Sequence, residues 1–380
     1  MLNEEQLALL RKLVSINSVF PKEEKIARFV RGELESHGFE ASLQEFSNGR
    51  FNVVAQKGPR KGSVLLFGHL DTVPPYNYGA RNPFKLIEKG NKLRGLGAWD
   101  MKAGIAIILA CARGCRPGAK GLRIVLTGDE ENISEGTWFA QKRGEYRNCS
   151  VAITTEIPDI PDSNGLGRPP ILLGRRGRCV YKLTVSGIGS HGAGTGGVSA
   201  IDLGMKLAQA LEKIPMPSGK MGPCRLFIRK FYSESSALAV PTAAVLEADV
   251  HYVPTHSPES FLKYLKNKLG HLKFPKGCSW KIEIPKRKTP YLPAYETGRN
   301  DPLVKEFLLL YKRHLGAPEV SFGLTVADEN VLSVEGIPIL TLGPIGDGAH
   351  SSGEWVLKKD FLRLSEKFPK IVQGMLDNGN

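Results

Sequence analysis

Residues 67–73 read FGHLDTV, and they close an apolar run, SVLLFGH, on His69 with Asp71 two positions further on. In a strand, side chains at i and i+2 share a face. A metal-bound imidazole needs an acceptor that fixes its orientation, and a nearby carboxylate supplies one. Other stretches add similar groups. LGAWDMKAG places Asp100 in a glycine-rich turn before a helix, and TGDEEN places Asp129, Glu130 and Glu131 after an apolar strand. TTEIPD ends another strand with Glu156 and Asp159, and GDGAHSSGEW places His350 in a loop after ILTLGP. Adjacent carboxylates such as Glu130 and Glu131 repel each other unless a cation is present. Two histidines and three carboxylates suit two Zn²⁺-class ions that share one carboxylate, and a fourth acid is then free to act as general base. Two divalent ions against three carboxylates leave a net positive charge that acidifies water. That is equipment for hydrolysing an amide.

Such groups need a scaffold that delivers strand ends to one place. Strand-like runs occur at 51–56, 63–69, 122–128, 151–156 and 339–344, with a small-residue apolar helix in MKAGIAIILACARG between the second and third. Apolar strands separated by helices predict an α/β sheet covered on both faces, with the catalytic groups at its carboxyl edge. Helices are expected at 4–15, with Leu7, Leu10 and Val14 on one face and Asn3 as cap, and at 22–37, ended by Gly38. The middle of the chain alternates instead. Strands at 178–187, 225–232, 243–252 and 279–285 and helices at 199–214 and 258–269 give the order βαββαβ, a split two-layer α+β motif. The expected division is therefore a catalytic domain from 1–176 and 289–380, with 177–288 inserted as a second domain.

Composition narrows the classes. With 380 residues the chain is long for one core. No apolar run reaches the roughly 18 residues that a membrane span needs, and the acidic start MLNEEQ is unlike a secretory signal. Six cysteines without a CxxC pair fit a reducing cytoplasm. The net charge is +14, and residues 178–288 hold 17 basic and 7 acidic residues. This raises a second class, a binder of nucleic acid or of an acidic partner. The basic residues are scattered and match no nucleic-acid module, so a solvated surface is the expectation.

In this order and spacing, GHLDTVP, GAWDMKAG, TGDEE, TTEIPD, GRRGR, SHGA and GPIGDGAH resemble the dinuclear zinc deacylase and exopeptidase family, which includes acetylornithine deacetylase, succinyl-diaminopimelate desuccinylase, aminoacylase and glutamate carboxypeptidase. The resemblance runs from about residue 5 to 375. It implies a zinc-exopeptidase-like catalytic domain with a mixed sheet, an inserted lid and dimerisation domain, and a homodimer. It implies two divalent ions, zinc or else cobalt, acting on N-acyl amino acids or on short peptides. By that resemblance His69 and Glu156 hold one metal, Asp100 bridges, and Glu131 and His350 complete the second site. Glu130 is the general base, and Asp71 is the partner of His69. Asp159 is the fallback for Glu156. His191, in SHGA, matches a histidine that reaches the partner subunit's site and steadies the oxyanion.

The chain also departs from the family pattern. Leu238 and His251 stand where the family often has Asn and Arg that grip substrate, and Ser199 stands in place of another Asn. Leu96 and Ala103 replace a common Arg and Gly. The metal set is thus complete while the substrate clamp is altered, which leaves deacylase and peptidase open.

Overall fold

The structure, a computed structural model, describes residues 2–158, 169–234 and 238–378. The chain forms two compact units. One comprises Met1–Gly174, Glu296–Gly323 and Ala327–Asn380; the other comprises Arg175–Tyr295 with Leu324–Val326.

The first unit is built on a mixed sheet of nine described strands. Its main path runs Glu40–Ser47, Arg50–Lys57, Leu122–Thr127, Ser63–His69, Cys149–Thr154, Ile339–Thr341, Ile171–Arg175 and Tyr295–Glu296, and Val320–Gly323 pairs beside it. Every residue of Ser63–His69 and Leu122–Thr127 is buried. That is why these runs are mostly apolar, with Ser63, His69, Arg123 and Thr127 as buried exceptions: a central strand with helices on both faces has no wet side. Helix Ala103–Gly114 is apolar almost all round because Ala103 to Ala112 are all buried. It packs on Lys358–Asp377 and on the His69 strand. Helix Glu24–Ser36 buries only the stripe Ile26, Ala27, Val30 and Leu34 and covers the first hairpin.

The His69 strand runs parallel to both Leu122–Thr127 and Cys149–Thr154, and Ile339–Thr341 runs parallel to Cys149–Thr154. His69 lies beside Thr127, and Thr154 beside Thr341. Four carboxyl ends therefore meet at one edge, and the loops carrying the acids and His350 leave from it.

Several local expectations need correcting; the strand expected at 339–344 stops at Thr341, and the one expected at 279–285 stops at Glu283. The first helix spans Leu2–Ser15, so Asn3 lies inside its first turn and is not the cap; Leu7, Leu10 and Val14 are buried as expected. The strand expected at 151–156 stops at Thr154, because the Glu156 N–H turns back to the Thr154 hydroxyl at 3.2 Å.

The second unit has a four-stranded antiparallel sheet in the order Arg225–Tyr232, Ala243–Tyr252, Gly177–Ser186, Ser279–Glu283, and helices Ala200–Glu212 and Pro258–Leu269 pack on it. Both helices start on serines. Ser199 accepts the Asp202 N–H at 3.3 Å, and Ser257 forms a capping box with Ser260 ahead of Pro258. No described helix is long and apolar enough to cross a membrane.

Candidate metal centre

The carboxyl edge of the first unit gathers His69, Asp71, Asp100, Glu130, Glu131, Glu156 and His350. Asp100 is central. Its Oδ1 lies 3.0 Å from His69 Nε2, and its Oδ2 lies 3.2 Å from His350 Nε2. His69 Nε2 is also 3.3 Å from Glu156 Oε2, and His350 Nε2 is 2.9 Å from Glu131 Oε2. One carboxylate thus stands between two histidine–glutamate pairs and offers one oxygen to each. Ligand atoms of His69, Asp100 and Glu131 all fall within 4.8 Å of one another. Asp159 lies outside the described residues.

Local structure explains each placement. His69 is almost wholly buried, and its Nδ1 donates to the Asp71 carbonyl at 3.0 Å, which leaves Nε2 facing the acids. The Asp71 carboxylate is further away, at 3.6 Å from Nδ1. Its two oxygens instead accept the backbone N–H groups of Glu130 and Glu131, at 3.2 and 3.1 Å. Asp71 therefore supports both the imidazole, through its backbone, and the acidic turn, through its side chain. The Glu156 carbonyl lies so close to Gly343 that a Cβ there would sit 2.3 Å away, so only glycine lets the two strand ends meet. His350 has a φ of 61°, a left-handed conformation uncommon for a side-chain-bearing residue.

The electrostatics fit a cationic guest. Burial, with Asp100 nearby, pushes Glu131 up to about 7. Burial likewise raises Glu156 to about 7 against the pull of His69. Glu130 is pushed well above the usual carboxylate range by burial and by the repulsion of Glu131, Asp328 and Glu156. Burial would raise Asp100 too, but the hydrogen bonds from His350 and His69 hold it below its ordinary value. Hydrogen bonds to Asp100 and Glu131 lift His350 to about 11. Burial disfavours a charged His69, yet Glu156, Asp100 and Asp71 raise it well above its usual value. Among the described residues no lysine or arginine pairs with Asp100, Glu131 or Glu156. The acid cluster therefore demands a source of positive charge. Divalent ions would supply it with the imidazoles neutral, and the donor set of imidazole nitrogens and carboxylate oxygens suits zinc-class metals.

Sequence reasoning missed Glu354. It is buried at 2% exposure, and its carboxylate accepts the backbone N–H groups of Gly97, Trp99 and Asp100 at 2.8, 2.8 and 3.0 Å. It grips the turn that presents Asp100. Its only sequence signal is its place in the His350 loop, SSGEW. In the second unit His191 is exposed, and its Nδ1 accepts the Ala193 N–H at 3.2 Å. Leu238 is also exposed, at 75%. His251 lies between Arg178 and Arg225 on the neighbouring strands, and burial lowers its pKa. The arginine absent at 251 is thus present on both flanks. Arg178 is tied to Asp249 at 2.6 Å. Arg229 and Lys230 lie near Glu247 at 3.4 and 3.7 Å, so part of the positive charge of this unit is neutralised locally.

A mixed sheet with an acid-and-histidine cluster at the carboxyl ends of its parallel strands defines a class, the metallohydrolases of open α/β architecture. Residues 65–373 match peptidase family M20/M25/M40, and the protein belongs to that family. It is an amide-bond hydrolase. The chain is similar to a succinyl-diaminopimelate desuccinylase of Wolinella succinogenes, 29% identical over 92% of this chain and 94% of that protein. It is also similar to an acetylornithine deacetylase of Vibrio vulnificus, 29% identical over 86% of this chain and 84% of that one. Among solved structures its fold resembles that of a tripeptidase from Staphylococcus aureus, with a TM-score of 0.78 and 20% identity over 99% of both chains.

Proposed function

We propose that the protein removes the acyl group from an N-acyl amino acid by hydrolysis at a centre of two divalent ions, zinc or cobalt. The observation that carries this reading is the Asp100 carboxylate divided between two histidine–glutamate pairs. His69 and Glu156 would hold one ion, His350 and Glu131 the other, and Asp100 both. Bound there, the ions supply Lewis acidity that polarises the amide carbonyl and acidifies water. Glu130 accepts the proton of the attacking water as its oxygen adds to the carbonyl carbon. Glu130 then returns that proton to the amide nitrogen as the C–N bond breaks, leaving a carboxylate and a free amine. Its half-buried site among other acids favours holding a proton between the two steps. The similarity to a desuccinylase and a deacetylase over most of the chain supports acyl substrates over peptides.

The test is a hydrolysis screen of the metal-stripped protein reloaded with zinc or cobalt. Acetyl- and succinyl-amino acids should be cleaved, and di- and tripeptides should be cleaved poorly. Chelation should abolish turnover. A preference for peptides would establish the exopeptidase reading instead, and no amide cleavage with either metal would overturn both.

The same reading includes a homodimer, in which His191 steadies the oxyanion in the partner subunit's site. Strand Arg225–Tyr232 is an edge strand of the second unit with exposed Phe227, Phe231 and Tyr232. Ile201 and Met205 are exposed on helix Ala200–Glu212, and Phe231 packs against Gly204 of that helix. An uncovered edge with apolar side chains suits pairing with a second copy. His191→Ala and Glu130→Gln, each inactive alone, should regain up to about a quarter of wild-type activity when mixed after dissociation, as random pairing allows. Mixed dimers with no recovery would show that His191 does not serve the partner's site. All six cysteines are unpaired, which supports a cytoplasmic location.

A further inference from the structure

The turn that carries Glu130 and Glu131 is held by a second set of buried charges that the proposed chemistry does not use. Asp129 has a φ of 75°, a left-handed conformation uncommon outside glycine, which aspartate adopts more readily than most residues. Its carbonyl accepts the N–H groups of Asn132, Ile133 and Ser134, the last at 2.7 Å. Its Oδ2 accepts the Glu135 N–H at 3.1 Å, and its Oδ1 accepts from Asn132 Nδ2 at 3.2 Å and from Arg50 Nη2 at 2.8 Å. Arg50 comes from the first hairpin. Its Nε donates to Glu23 Oε2 at 3.1 Å, and its Nη2 also reaches Glu23. One guanidinium therefore bridges two carboxylates that are both fully buried, and Arg50 itself is only 11% exposed. The ring of Phe46 lies 5.0 Å from the guanidinium carbon. A Cβ on Gly128 would come within 3.1 Å of both Glu23 and Phe46, so the end of the strand rests directly on this group.

We propose that Arg50 is a positioning residue for the reaction. By bridging Glu23 and Asp129 it holds Asp129 in its left-handed conformation and so aims the next two side chains, Glu130 and Glu131. Two grips act on one short turn. Asp71 holds the backbone of Glu130 and Glu131, and Arg50 holds the residue just before them. A guanidinium suits this task because its planar fork can serve two carboxylates in a fixed geometry, whereas an ammonium is a single point of charge. The inference rests on the reading of Glu130 as base and Glu131 as metal ligand.

The test compares Arg50→Met and Arg50→Lys with wild type by thermal melting, by zinc titration of the metal-stripped protein, and by steady-state kinetics on the best substrate of the screen. Misaiming a catalytic group by about 1 Å can cost on the order of 10²-fold. Losing a residue that supports a metal ligand typically costs ~10–100-fold in metal affinity. Folded Arg50→Met should show losses of those sizes in kcat and in zinc affinity while KM changes little, and Arg50→Lys should recover part of each. Normal kcat and normal zinc affinity, with only a lower melting temperature, would overturn the proposal and leave Arg50 a structural ion pair. If Arg50→Met does not fold, Glu23→Gln decides. It keeps the Arg50–Asp129 contact but removes the charge of the other anchor; a fall in zinc affinity and kcat supports the bridge, and unchanged values overturn it. Zinc titration needs no turnover. A Glu130→Gln variant that stays active would therefore unseat the base assignment alone.

Discussion

Glu130→Gln is expected to keep two metal ions and the native fold while losing nearly all turnover. The substitution preserves shape, and the backbone N–H at this position still reaches the Asp71 carboxylate, so the acidic turn keeps its course. It removes one of several mutually repelling acids, which should not weaken cation binding. What it removes is the only group proposed to carry a proton from water to the leaving amine. Losing general acid–base catalysis costs roughly 10²–10⁴-fold, equivalent to ~2.7–5.4 kcal/mol of barrier. Metal analysis together with kcat and KM on the purified variant checks this. Near-normal turnover would remove Glu130 from the mechanism.

The second large effect is expected at Asp100. Its two oxygens face different histidine–glutamate pairs, so Asp100→Ala takes a donor from both at once. Both ions should be lost or largely lost, with a fall in affinity beyond the ~10–100-fold typical of removing a residue that only supports a ligand. Activity should be undetectable. His350→Ala takes a donor from one pair only, and should weaken one ion while sparing the other. Calorimetric zinc titration of the two stripped variants, with circular dichroism to confirm folding, separates these patterns. Two ions bound to Asp100→Ala at normal affinity would show that the carboxylate does not bridge.

Much of this protein was legible in its sequence, for physical reasons tied to particular segments. The run SVLLFGH read as a buried strand because it is short, apolar in its middle and closed by polar groups, as a strand covered on both faces would be, and it spans Ser63–His69 as expected. The strands Arg225–Tyr232 and Ala243–Tyr252 and the helix Pro258–Leu269 also keep their expected bounds, since alternation, helical period and a serine–proline start are local signals. The acids and histidines were visible because polar groups that end apolar strands stand out against them.

Tertiary structure decided what local pattern could not. The parallel register places His69 beside Thr127 and Thr154 beside Thr341, and so brings separate loops to one edge. That register belongs to strand pairs distant in sequence, and no periodicity encodes it. Only in three dimensions do the two Asp100 oxygens divide between two pairs, the Asp71 carboxylate turn from His69 to the acidic turn, and Glu354 reach back to the backbone of Asp100. In sequence Asp129 stood with Glu130 and Glu131 as a strand-end acid, and nothing in the local pattern tied it to Glu23 or Arg50. Burial makes Glu23, Arg50 and Asp129 a bridge, because a charge removed from water must find its partners wherever the fold brings them. Residue type and spacing thus determined which groups were available for chemistry, and packing determined which of them hold the others in place.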